Sequence, residues 1–258
     1  MSRRLIWLAP LLGVIAFLIG VVAMAPAATL WQWAPQPLPI QVERLSGTMI
    51  NGRLQGLMQQ QRRLAEQISW RWRPTALFGA GWGYVIEGQV LGGSALGQVK
   101  ATPWGTLSVD DLRAGGDVRT LLQAIGQDFL PVNGRWRLDL DHAAARGQWP
   151  TAVDGTVTLS GLTWALGRNP IVLGDIEAVL SDEPGDDGHA VLVATLKSLE
   201  GPLEVEGTAR QFFDRRQNVD LRLRPRDDAP PIIRNLLGGL GQPDAQGWYR
   251  LQREGRMP

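Results

Sequence analysis

The chain lacks cysteine altogether and has only two histidines among its 258 residues. Without cysteine, a disulfide scaffold, a thiolate zinc site and a thiol nucleophile are all excluded. Basic and acidic residues nearly balance, at 26 against 25, which argues against nucleic acid as a main partner. An apolar fraction of 44% is sufficient for a folded core. The 31 glycines and 11 tryptophans are typical of antiparallel β-structure.

Charge is missing from a long N-terminal stretch, since no charged residue occurs between Leu5 and Val42. The apolar run Leu5–Ala25 is long enough to cross a hydrocarbon core of about 30 Å as a helix. Two arginines before this run favour a cytoplasmic N-terminus. We therefore predict a cytoplasmic tail at 1–4, a transmembrane anchor at 5–27 and a proline-rich spacer at 28–40. The residues expected to set the anchor are Arg3, Arg4, Trp7, Leu12, Ile15, Phe17 and Trp31.

A cleaved secretory signal is the alternative interpretation of this segment. Small residues at Ala23, Ala25 and Ala27 fit a cleavage site. The apolar run is longer than such signals usually have, and Pro26 disfavours cleavage after Ala25. We favour the uncleaved anchor, and under either interpretation residues from 41 onward lie outside the cytoplasm.

The rest of the chain alternates apolar and polar residues with a period of two. This pattern is typical of strands that pack one face on a core and turn the other to water. Glycine-rich turns separate the segments and few helices intervene, so we predict antiparallel sheets. The predicted strands are Ile68–Trp72, Tyr84–Leu91, Thr106–Leu112, Trp136–Leu140, Val157–Ser160, Ile171–Leu180, Ala190–Leu199, Leu203–Ala209 and Val219–Leu223.

Two segments have helical spacing. Asp117–Ile125 begins with a capping aspartate, and Pro230–Leu237 begins with prolines and ends at a glycine. The polar segment Gln55–Glu66 is predicted as a loop or a short helix. Each helix is followed by a glycine and a tryptophan-bearing strand, which indicates an internal repeat. We predict two similar β-rich units, 41–146 and 147–258, in a mainly β fold that forms one continuous curved sheet or a sandwich.

No pattern in the sequence indicates catalysis or metal binding. His142 and His189 have no ligand-forming neighbour at metal-binding spacing. The acidic residues at 182–187 lack the spacing of a calcium-binding loop. No serine lies in a nucleophile elbow. We therefore predict no catalytic, cofactor-binding or metal-binding residue and no cofactor.

Trp70 and Trp72 lie two residues apart, so both face the same side of one strand as Ile68. Arg71 and Arg73 face the other side. Packing in the core is the favoured interpretation for the tryptophans. A groove for a partner peptide or an acyl chain is the alternative.

A series of short motifs runs through the chain in a fixed order. An opening Ser-Gly-Thr and Asn-Gly pair precedes the Trp-Arg-Trp-Arg-Pro run at 70–74, and a Gly-Gln-Pro-Asp run at 241–244 precedes Gly-Trp-Tyr at 247–249. This order resembles the type II secretion system protein N family (general secretion pathway protein N). Met49 and Ile50 depart from the family, which often has an aromatic residue there. The residues that carry the resemblance, and that we expect to be structural, are Ser46, Gly47, Thr48, Gly52, Trp70, Trp72, Pro74, Gly134, Gly241, Pro243, Asp244, Gly247 and Tyr249.

The resemblance implies a non-enzymatic protein with one span in the cell inner membrane and its bulk in the periplasm. It implies a role in the export of folded proteins across the outer membrane, together with other inner-membrane or periplasmic secretion-system components as partners. Our hypothesis is a scaffold. A carrier of lipid or another hydrophobic ligand in a β groove is the alternative, and a hydrolase is a distant third.

Overall fold

The computed structural model describes residues 40–59, 62–79, 81–147, 149–165, 170–185 and 188–256. Thirteen strands form a single sheet, in which each strand pairs antiparallel with its neighbours in sequence. β1 and β13 are therefore the two outermost strands of an open sheet. The strands are β1 Ile40–Gly47, β2 Asn51–Gln59, β3 Arg62–Arg73, β4 Trp82–Val90, β5 Gly93–Ala101, β6 Thr106–Asp117, β7 Val132–Arg146, β8 Trp149–Trp164, β9 Ile171–Pro184, β10 Ala190–Glu200, β11 Leu203–Gln211, β12 Arg216–Pro225 and β13 Tyr249–Arg256.

Three short helices interrupt the strands. A 3₁₀ helix, Pro74–Gly79, follows β3, α1 (Val118–Ala124) joins β6 to β7, and α2 (Pro231–Gly238) joins β12 to β13. Because α1 and α2 both follow even-numbered strands of an antiparallel sheet, they lie at the same end of the strands. We call this the helix end, and β1 also begins there. The opposite end, where odd-numbered strands end, is the turn end.

The single sheet confirms the mainly β prediction and the continuous-sheet alternative, whereas the sandwich is wrong. The division into two units at residues 146 and 147 falls in the turn between β7 and β8, which pair along most of their length. That division stays a prediction. The predicted anchor and most of the spacer lie outside the described residues. Among the residues that the model describes, no helix is long and apolar enough to cross a membrane.

The structure corrects two local predictions. Within the segment Gln55–Glu66, the described residues 55–59 and 62–66 belong to β2 and β3, where Leu57 lies opposite Ala65, so neither the loop nor the short helix describes them. Gly56, with a φ of 65°, breaks the alternation that would have identified this strand pair. Asp117 precedes α1 but makes no side-chain capping hydrogen bond. It is the last residue of β6, where it pairs with Arg135 of β7.

The turn between β1 and β2 depends on two glycines. Gly47 has a φ of 90°, a conformation that favours glycine. A Cβ at Gly52 would overlap the indole ring of Trp70, which lies across this glycine from β3. The Trp70 Nε1–H donates a hydrogen bond to the Thr48 carbonyl oxygen at 3.2 Å. The indole therefore fastens the β1–β2 turn to the third strand.

We expect Gly52→Ala to destabilise the protein by about 1–3 kcal/mol, because the added methyl group displaces the Trp70 ring. The measurement is the free energy of unfolding of the full chain in detergent. Gly238→Ala is the matched control, because a Cβ at Gly238 meets nothing within 4 Å, and its expected effect is within about 0.5 kcal/mol. Equal effects of the two substitutions would contradict this account of the turn.

Candidate binding surface

The register places apolar residues directly opposite one another on all thirteen strands. One residue of each strand belongs to this row, and none of them has a polar side chain. Because directly opposed residues share a face of a sheet, the row defines an apolar face, which we call the inner face. In order from β1 to β13 the row is Leu45, Leu54, Ile68, Gly88, Ala95, Ala114, Leu138, Val157, Ala178, Leu196, Gly207, Leu221 and Leu251.

A second row on the inner face lies two residues nearer the turn end. Its only charged side chain is Arg253, on the outermost strand. An inward-facing charge on an edge strand opposes pairing with another sheet. In strand order this row is Gly47, Gly52, Trp70, Ile86, Gly97, Leu112, Leu140, Gly155, Leu180, Ala194, Ala209, Val219 and Arg253.

Glycines of the inner face lie close to the backbone of the adjacent strand. A Cβ at Gly155 would lie 2.7 Å from the Asp139 carbonyl oxygen, and one at Gly207 would overlap that of Asp220. The leucine side chains of the same neighbouring strands follow at 3.0–3.1 Å. Glycine at these positions therefore leaves room for the adjacent strand and its leucine.

The helices cover the inner face only at the helix end. Val118 of α1 packs with Trp136 and Leu162 in the buried cluster. Ile233 and Leu237 of α2 are 2% and 5% exposed, and this helix packs against β12.

Farther from the helices, Ile68, Trp70 and Val157 remain only half-buried. Trp72 is likewise half-buried, whereas Arg71 is exposed, as the alternation in the sequence predicts. The described part of the chain therefore leaves much of the inner face uncovered.

The opposite, outer face is largely polar, with Leu96, Val179, Val191 and Val193 as apolar exceptions. Ion pairs link adjacent strands there, including Lys197–Glu177 at 2.8 Å and Arg250–Asp220 at 2.7 Å. Such exposed pairs contribute about 0–1 kcal/mol each, so they serve mainly to keep this face in water. One complete outer row, again from β1 to β13, is Arg44, Gln55, Gln67, Gln89, Ser94, Gly115, Arg137, Thr158, Glu177, Lys197, Glu206, Arg222 and Arg250.

The two histidines lie away from the inner face. His142 Nδ1 is 2.7 Å from the Asp110 carboxylate, and both side chains are exposed. His189 stacks on the ring of Phe213 at a turn, with 3.8 Å between ring centroids. Within the described ranges, no group of three or more acidic, histidine or cysteine side chains has the geometry to hold a metal ion.

The first group of family-motif residues lies together at the turn end of β1–β3. Trp72 donates its backbone N–H to the Ile50 carbonyl at 2.6 Å, and Pro74 begins the 3₁₀ helix. Thr48 Oγ1 accepts the backbone N–H of Asn51 at 3.3 Å. Together with the Trp70–Gly52 contact, these hydrogen bonds connect the first three strands, and we call this part of the motif the clamp. Ser46 lies on β1 beside this clamp, where its hydroxyl donates to the Arg53 carbonyl oxygen at 3.3 Å.

The second group forms the loop before β13. Asp244 Oδ1 accepts the backbone N–H groups of Gln246 at 2.8 Å and Trp248 at 2.9 Å. These hydrogen bonds, that from Trp248 above all, hold the pKa of Asp244 below its usual value. The loop turns at Gly241 and Gly247, whose φ angles are 118° and 82°. Pro243 lies between them, and Tyr249 begins β13.

The motif residues do not form one site. The first group lies at the turn end, the loop before β13 lies at the helix end, and Gly134 lies near the start of β7 with a φ of 150°. The predicted anchor residues lie outside the described residues. The inner-face rows were not predicted from the sequence, because the alignment of apolar positions between strands depends on the register of pairing.

The fold and its surface define a class of protein: an open, single-sheet β-meander with a continuous apolar face. The family model for the type II secretion system protein N matches residues 39–252. This match covers most of the chain, and the chain belongs to that family, as its motifs predict. It is accordingly a component of the type II secretion system, which works in the cell envelope together with other secretion components. Neither a curated protein sequence nor a solved structure matches the chain.

The Asp244 loop predicts a pH-dependent stability. Because the folded pKa of Asp244 is lowered, its stabilisation is present above the unfolded value of about 3.8 and is lost as the pH falls through the folded pKa. At pH 7, Asp244→Asn should lower Tm, and Asp244→Ala should lower it further because it removes both acceptor bonds. Thermal unfolding across the pH range measures this. As the pH falls below about 3.8, the wild-type and Asp244→Asn curves should converge, and a constant gap would contradict the assignment.

Proposed function

We propose that this chain is a non-enzymatic, single-pass inner-membrane protein whose periplasmic sheet acts as a scaffold in the type II secretion system. In this role it assists the export of folded proteins across the outer membrane. Its partners are other inner-membrane or periplasmic components of the machinery. The observation that carries the proposal is the inner face, an apolar surface along thirteen strands that two short helices cover only at one end.

The inner face supports binding because large exposed apolar patches of soluble domains usually mark an interaction site. All strands between β1 and β13 have both neighbours, so their backbone groups are satisfied within the sheet. A partner segment on this face therefore needs its own hydrogen bonds satisfied internally. An amphipathic helix of another secretion component meets that requirement.

A carrier of lipid or another hydrophobic ligand is the second candidate function. The observation that favours it is the chemistry of the first inner row, which offers no polar side chain. An acyl chain has no hydrogen-bonding groups, so it loses no hydrogen bond to water when it binds such a surface. A protein surface usually contains some polar groups, whose burial without partners costs free energy. Lipid is the ligand expected under this alternative.

The anchor is tested with arginines in the predicted span. We expect Leu12→Arg combined with Ile15→Arg to release the full chain from the membrane, because each arginine costs about 2.5–3.5 kcal/mol at a helix centre. The measurement is the fraction left in the membrane after alkaline carbonate extraction. The control, Leu12→Ala with Ile15→Ala, should stay membrane-bound. Retention of the double arginine variant would show that the rest of the chain holds the membrane or a membrane partner by itself.

The scaffold and the carrier are separated by photocrosslinking in cells. A benzophenone amino acid replaces Val157 on the inner face, Thr158 on the outer face as the matched control, or Trp72 near the turn end. A scaffold gives adducts with secretion-system proteins that are stronger at Val157 than at Thr158. Adducts dominated by phospholipid or lipopolysaccharide at Val157 would instead establish the carrier and overturn the scaffold. Equal yields at the two positions would contradict a binding role of the inner face.

A further inference from the structure

The chain enters the sheet at the helix end. β1 begins at Ile40, which lies opposite Gln59 at the end of β2. The predicted anchor and spacer precede it, and thirteen spacer residues reach at most about 40 Å in an extended polyproline conformation. Strands of 8 to 16 residues place the turn end about 26–53 Å beyond the helix end. The proposed anchor is therefore joined to the sheet at its helix end, and the turn end lies one strand length farther along the chain.

Large apolar side chains are exposed at both ends of the sheet, with Trp82 and Trp104 among those at the turn end. The predicted anchor makes those at the helix end the ones nearer to lipid. Phe129, in the segment after α1, is 72% exposed, and Ile125 at the end of α1 is 61% exposed. On α2, Ile232 is 46% exposed while Ile233 beside it is buried. These residues recur along the end of the sheet from β6 to β13. The full set is Ile125, Phe129, Val172, Leu199, Ile232 and Leu240.

Charges of both signs accompany these apolar residues. Arg119 and Arg234 lie on α1 and α2, whereas Asp128, Asp227 and Asp228 lie in the adjoining segments, and all five are exposed. Basic residues are not in excess, so electrostatic attraction to anionic lipids is not the driving force here. Burial of apolar side chains in the interfacial layer of a bilayer remains as the favourable term.

We propose that the helix end of the sheet rests on the surface of the bilayer, with Phe129, Ile125 and Ile232 in its interfacial layer. This inference rests on the proposed membrane anchor. The tether keeps the helix end at a high effective concentration near the lipid, so a weak apolar contact suffices to hold it there. The strands then stand away from the membrane, with the turn end farthest from it.

The absence of cysteine makes the test direct, since one introduced cysteine is a unique labelling site. Phe129→Cys and Ile232→Cys are labelled with the environment-sensitive fluorophore NBD in the full chain, reconstituted into vesicles of phosphatidylethanolamine and phosphatidylglycerol. Trp104→Cys is the matched control, because Trp104 is an aromatic residue of similar exposure, 66%, at the turn end. All three side chains are exposed, so their replacement removes little packing.

We expect blue-shifted emission and about twofold quenching by doxyl-labelled lipid at positions 129 and 232, with water-like, unquenched emission at 104. The signal should be insensitive to salt. Water-like emission at 129 and 232 in a chain that resists carbonate extraction would overturn the inference while leaving the anchor intact. Equal quenching at all three positions would overturn the proposed orientation. A chain extracted by carbonate would overturn the anchor and, with it, this inference.

Discussion

Cross-strand register is the constraint on which this molecule depends. In a meander, each strand pairs only with its neighbours in sequence. The alignment of residues from β1 to β13 therefore depends on the register of every pair of strands between them. A slip of one residue in any strand would move its apolar side chains to the outer face. The unbroken row from Leu45 to Leu251 exists because every pairing between them is in phase. The bulge between β5 and β6, where Gln98 pairs with Asp110 and β6 has the extra residue, leaves that row intact.

Close approach between strands shapes the surface that this register creates. Gly52 lies against the indole of Trp70, whereas Gly155 and Gly207 lie against the backbone of an adjacent strand, and a side chain at any of these positions would clash with that neighbour. The inner face is therefore stabilised largely by contacts between adjacent strands. Only at the helix end does a second layer form, where Val118 of α1 closes over Trp136. This arrangement explains how the sheet holds together while leaving most of its apolar face open.

Sequence patterns predicted the strands that alternate clearly and missed those that do not. β7 was found from the alternation between Trp136 and Leu140, whereas β5 has glycine and alanine where an apolar marker is needed, as at Gly97. β2 and the first part of β3, before Ile68, were hidden by the glutamines around Gly56, since their strand character comes from pairing on both sides and not from periodicity. Family motifs identified residues such as Trp70 and Asp244, but not what they do, because each acts through a contact distant in sequence or through a loop conformation. The inner face could not be predicted for a similar reason. Alternation shows which residues of one strand share a face, but the register of pairing decides which residues of neighbouring strands lie beside them.

The direction of the apolar rows bears on the choice between the two proposed functions. The rows run across the strands, over a distance of about 58 Å if twelve spacings of about 4.8 Å lie end to end. With the helix end on the bilayer, the strands point away from the membrane and the rows run parallel to it. An apolar path that carries lipid between two membranes has to lead away from the first one, and residues two apart on a strand share the inner face, as Trp136, Leu138 and Leu140 do on β7. A row parallel to the membrane presents one apolar strip at constant height, which suits the side-by-side attachment of other inner-membrane components. The inner face thus suits partner attachment along its rows and an acyl chain along its strands, so crosslinking at Val157 decides between the scaffold and the carrier.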